Sequence, residues 1–183
     1  MWPEKVLRQF QAVPANCNES DFHGPYNKLL YHCFPPNTDF TVVPQYLKSA
    51  SRDSADFIVC FEIHLENKPV LIVELKDPTT IQHISTRAEA DDQIRRRIID
   101  RAEHCPLDTL YAVSALGTKL CFYSLDVKNR AAKINPPRID RDPDTVYDCA
   151  PTERWDRDVL EASGEDKLLA VINEIKAGCA ELI

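Results

Sequence analysis

The stretch that decides the fold runs Ser54-Ala-Asp56-Phe-Ile-Val-Cys60-Phe-Glu62-Ile-His64-Leu-Glu-Asn-Lys-Pro-Val-Leu-Ile-Val-Glu74-Leu75-Lys76-Asp77. Two apolar runs flank a short polar break, which reads as two strands and a tight turn. Side chains alternate faces along a strand. Asp56, Ile58, Cys60, Glu62 and His64 therefore share one face of the first strand. Val70, Ile72, Glu74 and Lys76 share one face of the second. With Glu66-Asn67-Lys68 as the loop, Leu65 pairs with Pro69 and Cys60 lies opposite Glu74. Asp56, Glu74 and Lys76 then converge on one face. A two-residue loop would move Asp56 to the face opposite Glu74, so the reading predicts an odd-length loop.

Such a cluster points to chemistry because the second strand is apolar almost to its end. Buried charges need partners. Two carboxylates can hold an oxygen-preferring divalent cation, and a neighbouring lysine can orient a water. Phosphodiester hydrolysis needs both. The plainer alternatives are a turn residue at Asp56 and a solvated strand end at Glu74 and Lys76.

Asp56…Glu74-x-Lys76 resembles the PD-(D/E)xK nuclease superfamily, whose restriction-endonuclease-like fold has a core of helix, three-stranded meander, helix and strand. The resemblance covers roughly residues 19–126. More narrowly, the chain is similar to an expanded group of fungal proteins. Asn18-Glu-Ser-Asp-Phe-His-Gly-Pro-Tyr26, Phe40-Thr-Val-Val-Pro-Gln45 and Ser114-Ala-Leu-Gly-Thr-Lys-Leu-Cys-Phe-Tyr123 carry that likeness. Ala55 stands where the namesake proline would be. The resemblance implies a nuclease that uses Mg²⁺ or Mn²⁺ and leaves a 5′-phosphate. It implies Asp56, Glu74 and the backbone carbonyl of Leu75 as metal ligands. Lys76 would position or help deprotonate the attacking water. It further implies that Glu19, an acid near the first helix, completes the metal site, and that Gln93 adds a polar site group. Glu19 as a helix-capping acid and Gln93 as an exposed helix residue stay open. So does the rival function, a nuclease fold kept as a non-catalytic binding module.

The bulk numbers bound these readings. A chain of 183 residues with 44% apolar and 28% charged residues is expected to form one globular domain. No apolar run is long enough to span a membrane, and no signal-peptide core follows the N-terminus. Seven cysteines without a CxxC pair argue for reduced thiols in an intracellular, cytoplasmic or nuclear protein. The net charge of −7 counts against strong non-specific nucleic-acid binding. The local balance differs, because four arginines and one aspartate lie between Gln93 and Arg101. Arg96, Arg97 and Arg101, with Arg95, are candidates for phosphate contact. Pairing with Glu89, Asp91, Asp92 and Asp100 along the helix is the alternative. DNA and RNA are equally open as partners, and dimers are common among the relatives that the resemblance implies.

Along the chain, residues 1–17 read as an irregular lead-in. Phe22, Tyr26, Leu29, Leu30 and Cys33 are spaced for one helical face, with Glu19 in a short turn before it. Pro44 gives a strand over 39–47 an edge position or a bulge. Thr86 with Glu89 predicts a capping box for a helix reaching about His104. Its apolar stripe is Ala90, Ile94, Ile98 and Ala102. Gly117-Thr118 predicts a hairpin. Residues 127–161 read as an extended surface segment. Ser163 with Asp166 predicts the cap of a C-terminal helix over 163–183. The expected architecture is α+β: a mixed sheet of about five strands flanked by helices. Glu62 and His64 are set aside as too far along the strand, with His64 a structural residue.

The cysteine pattern makes a direct prediction. Thiol titration in denaturant without reductant should find all seven cysteines free. Two or more stable disulfides would place the chain in an oxidising compartment.

Overall fold

The computed structural model describes residues 1–48, 57–140 and 147–182, with backbone alone at 45–48 and 57–61. Asp56 lies outside the described residues. The architecture is α+β, a six-stranded mixed sheet with helices against both faces.

The sheet grows from the hairpin. β2 (Phe57–Leu65) and β3 (Lys68–Lys76) are antiparallel, with Leu65 opposite Lys68. The loop is therefore the pair Glu66-Asn67, both left-handed, with φ of 49° and 65°. This is the backbone of the tight turn that matches strand twist, and it corrects the expected three-residue loop. A straight ladder from that turn would set Cys60 against Val73. Instead, His64 pairs with Pro69 and Ile63 with Leu71. Val70 is thus an extra residue, a bulge that shifts the register by one. Beyond it Cys60 faces Glu74, as the longer loop would have required. Pro69, which cannot donate to a ladder, sits at this irregularity.

β1 (Phe40–Lys48) pairs with β2 and forms the sheet edge, where Pro44 is tolerated. β3 runs parallel to β4 (Thr109–Leu116), which requires a crossover. The crossover is α3 (Ile84–Ala102), entered through a 3₁₀ turn over Pro78–Gln82. Ala90, Ile94 and Ile98 are buried beneath it against Ile72 and Ala112. Thr86 does not form the expected box. It lies inside the first helical turn, and its hydroxyl donates to the carbonyls of Thr80 (2.7 Å) and His83 (3.0 Å).

Leu71, Val73 and Leu75 point to the other face of the sheet. There they meet Leu29 and Leu30 of α2 (His23–Cys33), and Leu168, Val171, Ile172 and Ile175 of α4 (Ala162–Ala180). The α4 stripe matches its sequence period. However, Glu161 occupies the N-cap and no side chain caps the helix, so the expected Ser163–Asp166 signal is unused.

Residues 1–17 are not an irregular lead-in. α1 spans Glu4–Gln11, and Trp2, Val6 and Phe10, spaced by four, are buried on this core. The Trp2 indole donates to the Val159 carbonyl at 2.7 Å. Residues 127–161 also depart from the surface reading. Cys149, Ala150 and Trp155 are buried under the α3 face, and Val159 in the opposite core. Arg157–Asp158 form β6, which pairs with β5 (Lys119–Asp126) and raises the strand count to six. The reason is chemical rather than periodic. Arginines satisfy backbone carbonyls that no ladder reaches. Arg87 donates to Ala150 (2.9 Å), Arg95 to Pro136 (2.8 Å) and Arg154 to Pro137 (2.8 Å).

Among the described residues, no helix is long and apolar enough to cross a membrane. Cys17, Cys33, Cys105, Cys121, Cys149 and Cys179 are free thiols.

Trp155 is 2% exposed, so its contribution separates a core element from a surface strap. Trp155→Ala should lower the unfolding free energy by about 3–5 kcal/mol in urea. A loss within about 0.5 kcal/mol would return the segment to the surface.

Candidate functional site

Glu74 is the penultimate position but one of β3, on the α3 face, and only 1% exposed. Lys76 shares that face two residues on. Leu75 turns its side chain into the opposite core. The Asp77 carboxylate then accepts from the Thr79 amide at 2.7 Å, capping the 3₁₀ turn that leads into α3. The backbone at Lys76 is pinned from the neighbouring hairpin, because the Gly117 amide donates to the Lys76 carbonyl at 3.1 Å. Gly117 has φ of +63°, and a Cβ there would come within 2.7 Å of Pro78. Only glycine allows this approach.

Arg97 of α3 meets Glu74, its Nε–H donating to Oε2 at 2.9 Å. One turn later, Arg101 Nε–H donates to Glu62 Oε1 at 2.8 Å. Glu62 Oε2 is taken by His64 Nε2, also at 2.8 Å. The two pairs form a ladder because the spacings agree. Four helical residues rise about 6 Å, and two strand residues about 6.6 Å. Among the described residues, Glu74 Oε1 and, on α3, Gln93 Oε1 are buried without a hydrogen-bond partner. The Gln93 amide nitrogen donates to Glu89 Oε1 at 3.2 Å.

Glu19 reaches the site from a 3₁₀ turn over Glu19–Phe22, its Oε2 lying 3.8 Å from Lys76 Nζ. It is not the capping acid. Asn18 and Asp21 form that reciprocal cap, the Asn18 side chain accepting from Ser20 and Asp21 accepting from the Asn18 amide. Glu19 thus pairs with Lys76 and Glu74 with Arg97, and the Lys76 cation also acts on Glu74. Among the described residues, no three acidic, histidine or cysteine side chains are grouped to hold a metal. Asp56, expected as a ligand, lies outside them.

Burial raises the Glu74 pKa above the ordinary carboxylate range, and the cations of Arg97, Lys76 and Arg96 offset part of the rise. The arginine cluster divides into three. Arg97 and Arg101 bind sheet acids. Arg95 is buried in an ion pair with Asp91 at 2.7 Å. Asp91 also accepts from Arg154 (2.6 Å) and from the Tyr123 hydroxyl (2.8 Å). Arg96 is exposed, its Nε–H directed to the Asp92 carbonyl at 3.2 Å. Glu62 and His64, set aside from the sequence, belong to the same polar layer. Their signal was present in Phe-Glu62-Ile-His64-Leu, where two polar residues face the same way in an otherwise apolar strand.

Comparison of the chain with protein-family models, with curated proteins and with solved structures gives no match.

The raised pKa fixes the sign of a pH effect. Folded Glu74 holds its proton more tightly than the unfolded chain does. Stability therefore falls as pH rises from the ordinary glutamate value through the folded one. Glu74→Gln should remove that part of the slope when wild type and variant are unfolded in urea across pH. Identical slopes would show that Glu74 does not titrate abnormally.

Proposed function

We propose that the chain is a metal-dependent nuclease of the PD-(D/E)xK type that hydrolyses phosphodiester bonds in DNA or RNA. The observation that carries this reading is Glu74. It is a buried carboxylate with one oxygen held by Arg97 and the other without a partner among the described residues, two residues from Lys76. A buried acceptor left open costs about 1–3 kcal/mol unless something fills it, and a hard cation or its water would. The order α2, β1–β3, α3, β4 is also the element order that the resemblance implies.

The donors suit Mg²⁺ or Mn²⁺, which prefer oxygen. Glu74, the Leu75 carbonyl and Asp56 would hold the ion, with Glu19 supporting it. The metal, when bound, polarises the scissile phosphate and acidifies a water. Lys76 supplies positive charge where the phosphate becomes more negative, and holds the attacking water. Glu19, 3.8 Å from that ammonium, would help to orient it. Arg96, the exposed cation of the cluster, is the group free to meet the nucleic-acid backbone. It would act locally, since the overall charge of −7 repels polyanions. Such a protein would work inside the cell, in the cytoplasm or nucleus.

One observation favours a second reading, a nuclease fold kept as a non-catalytic binding module. Both buried acids already have arginine partners, which is what a structural ion-pair layer requires.

The two readings separate in one experiment. The first expects cleavage of a mixed DNA and RNA panel with Mg²⁺ or Mn²⁺, abolished by EDTA. It also expects the metal to raise the melting temperature. Lys76→Ala should lose about 10²–10³-fold in rate, as for loss of one charge-stabilising donor, while keeping the metal-induced shift. No cleavage and no shift would favour the binding module.

A further inference from the structure

We propose that Arg97 is a positioning residue that turns Glu74 into a one-oxygen metal ligand, an inference that rests on the metal-dependent reading above. The argument comes from two carboxylates that the fold treats differently. Glu62 and Glu74 project from neighbouring strands onto one face and are both about 1% exposed. Each accepts an Nε–H from an arginine of α3, and the two arginines are one turn apart. At Glu62 the second oxygen is closed by His64. At Glu74 the second oxygen is buried and has no partner among the described residues. The sheet therefore carries one closed carboxylate and one open one, under matching arginines.

A carboxylate free to rotate can offer a cation either oxygen, or both. An arginine Nε–H approaching Oε2 at 2.9 Å holds the carboxylate plane and favours Oε1 as the oxygen offered to a cation. The planar guanidinium fixes direction as well as charge, which a lysine ammonium does not. Arg97 is only 12% exposed in its side chain, so it is poorly placed to reach out to a phosphate. Its effect on the reaction runs through Glu74. Arg101 makes the same bond to a carboxylate whose other oxygen His64 already holds, and so serves as an internal control.

The test uses the full chain and Mn²⁺ alone, titrated by calorimetry and by electron paramagnetic resonance. Arg97→Lys keeps the charge and loses the fixed Nε–H. It should weaken Mn²⁺ binding about 10–100-fold, the range seen when a group orienting a metal ligand is removed. Arg101→Lys should leave Mn²⁺ affinity unchanged. The metal-free melting temperatures of the two variants should be similar. In the cleavage assay Arg97→Lys should lower kcat with KM unchanged. If Arg97→Lys does not fold, Arg97→Met, which keeps an unbranched side chain and has no N–H donor, takes its place with the same criteria. Wild-type affinity in the Arg97 variant, equal losses in both variants, or a change in KM alone would overturn the proposal and leave the metal-dependent reading standing. A wild-type protein that binds no Mn²⁺ would remove both.

Discussion

The burial of two carboxylates beneath α3 is the constraint on which this structure depends. Glu62 and Glu74 lie on a sheet face that otherwise carries Ile72 and Ala112 against Ile94 and Ile98. Unpaired charges there would cost several kcal/mol each. The helix answers with arginines at the spacing the strands impose, one turn for every two strand residues. That match fixes how far α3 slides along the sheet and how it is rotated. It also fixes where the following strand begins, because β4 must return parallel to β3. The charge layer thus acts together with the apolar contacts of Ile94 and Ile98 in holding α3 against the sheet. Among the described residues the same layer leaves one Glu74 oxygen open, two residues from Lys76, and the functional reading follows from that asymmetry.

Arginine serves a second purpose on the far side of α3. Arg87, Arg95 and Arg154 hold the carbonyls of Ala150, Pro136 and Pro137. They fasten a segment rich in proline and aspartate whose described residues have little regular structure of their own. Asp91 accepts from both Arg95 and Arg154, so it joins helix and segment at one buried point. Trp155 then fills the space between them. A chain with little helical or strand period can thus still contribute to a core, provided its backbone acceptors are met by side chains.

This explains which features could be read from the chain. The α2, α3 and α4 stripes, the edge position of β1 and the shared face of Glu74 and Lys76 follow from period and from proline chemistry. Each is a local property. α1 escaped because eight residues are too few to declare a helix without the core that holds them. Its only sign was Trp2, Val6 and Phe10 at intervals of four. Trp155 and Val159 escaped because their burial depends on arginines distant in sequence. At the site, the sequence marked Arg97 as a cation but could not distinguish a partner in the sheet from one in solution. Glu62 was discounted on distance along its strand. Its partner Arg101 lies one turn beyond Arg97, a relation that only the packed helix makes visible.

The bulge at Val70 has one more consequence, which concerns parity. On a strand, odd and even positions belong to different sides, so each added or removed residue swaps inside for outside. The two-residue turn and the one-residue bulge together restore the odd count that Glu74 needs to face Arg97. Neither is sufficient by itself. Loss of Val70 would turn Glu74 toward the apolar layer beneath α2 and α4. A compensating insertion in the turn would bring it back. The hairpin thus preserves a count rather than a set of residues, and its sequence can drift between short-turn and long-turn forms while the orientation of one carboxylate stays the same.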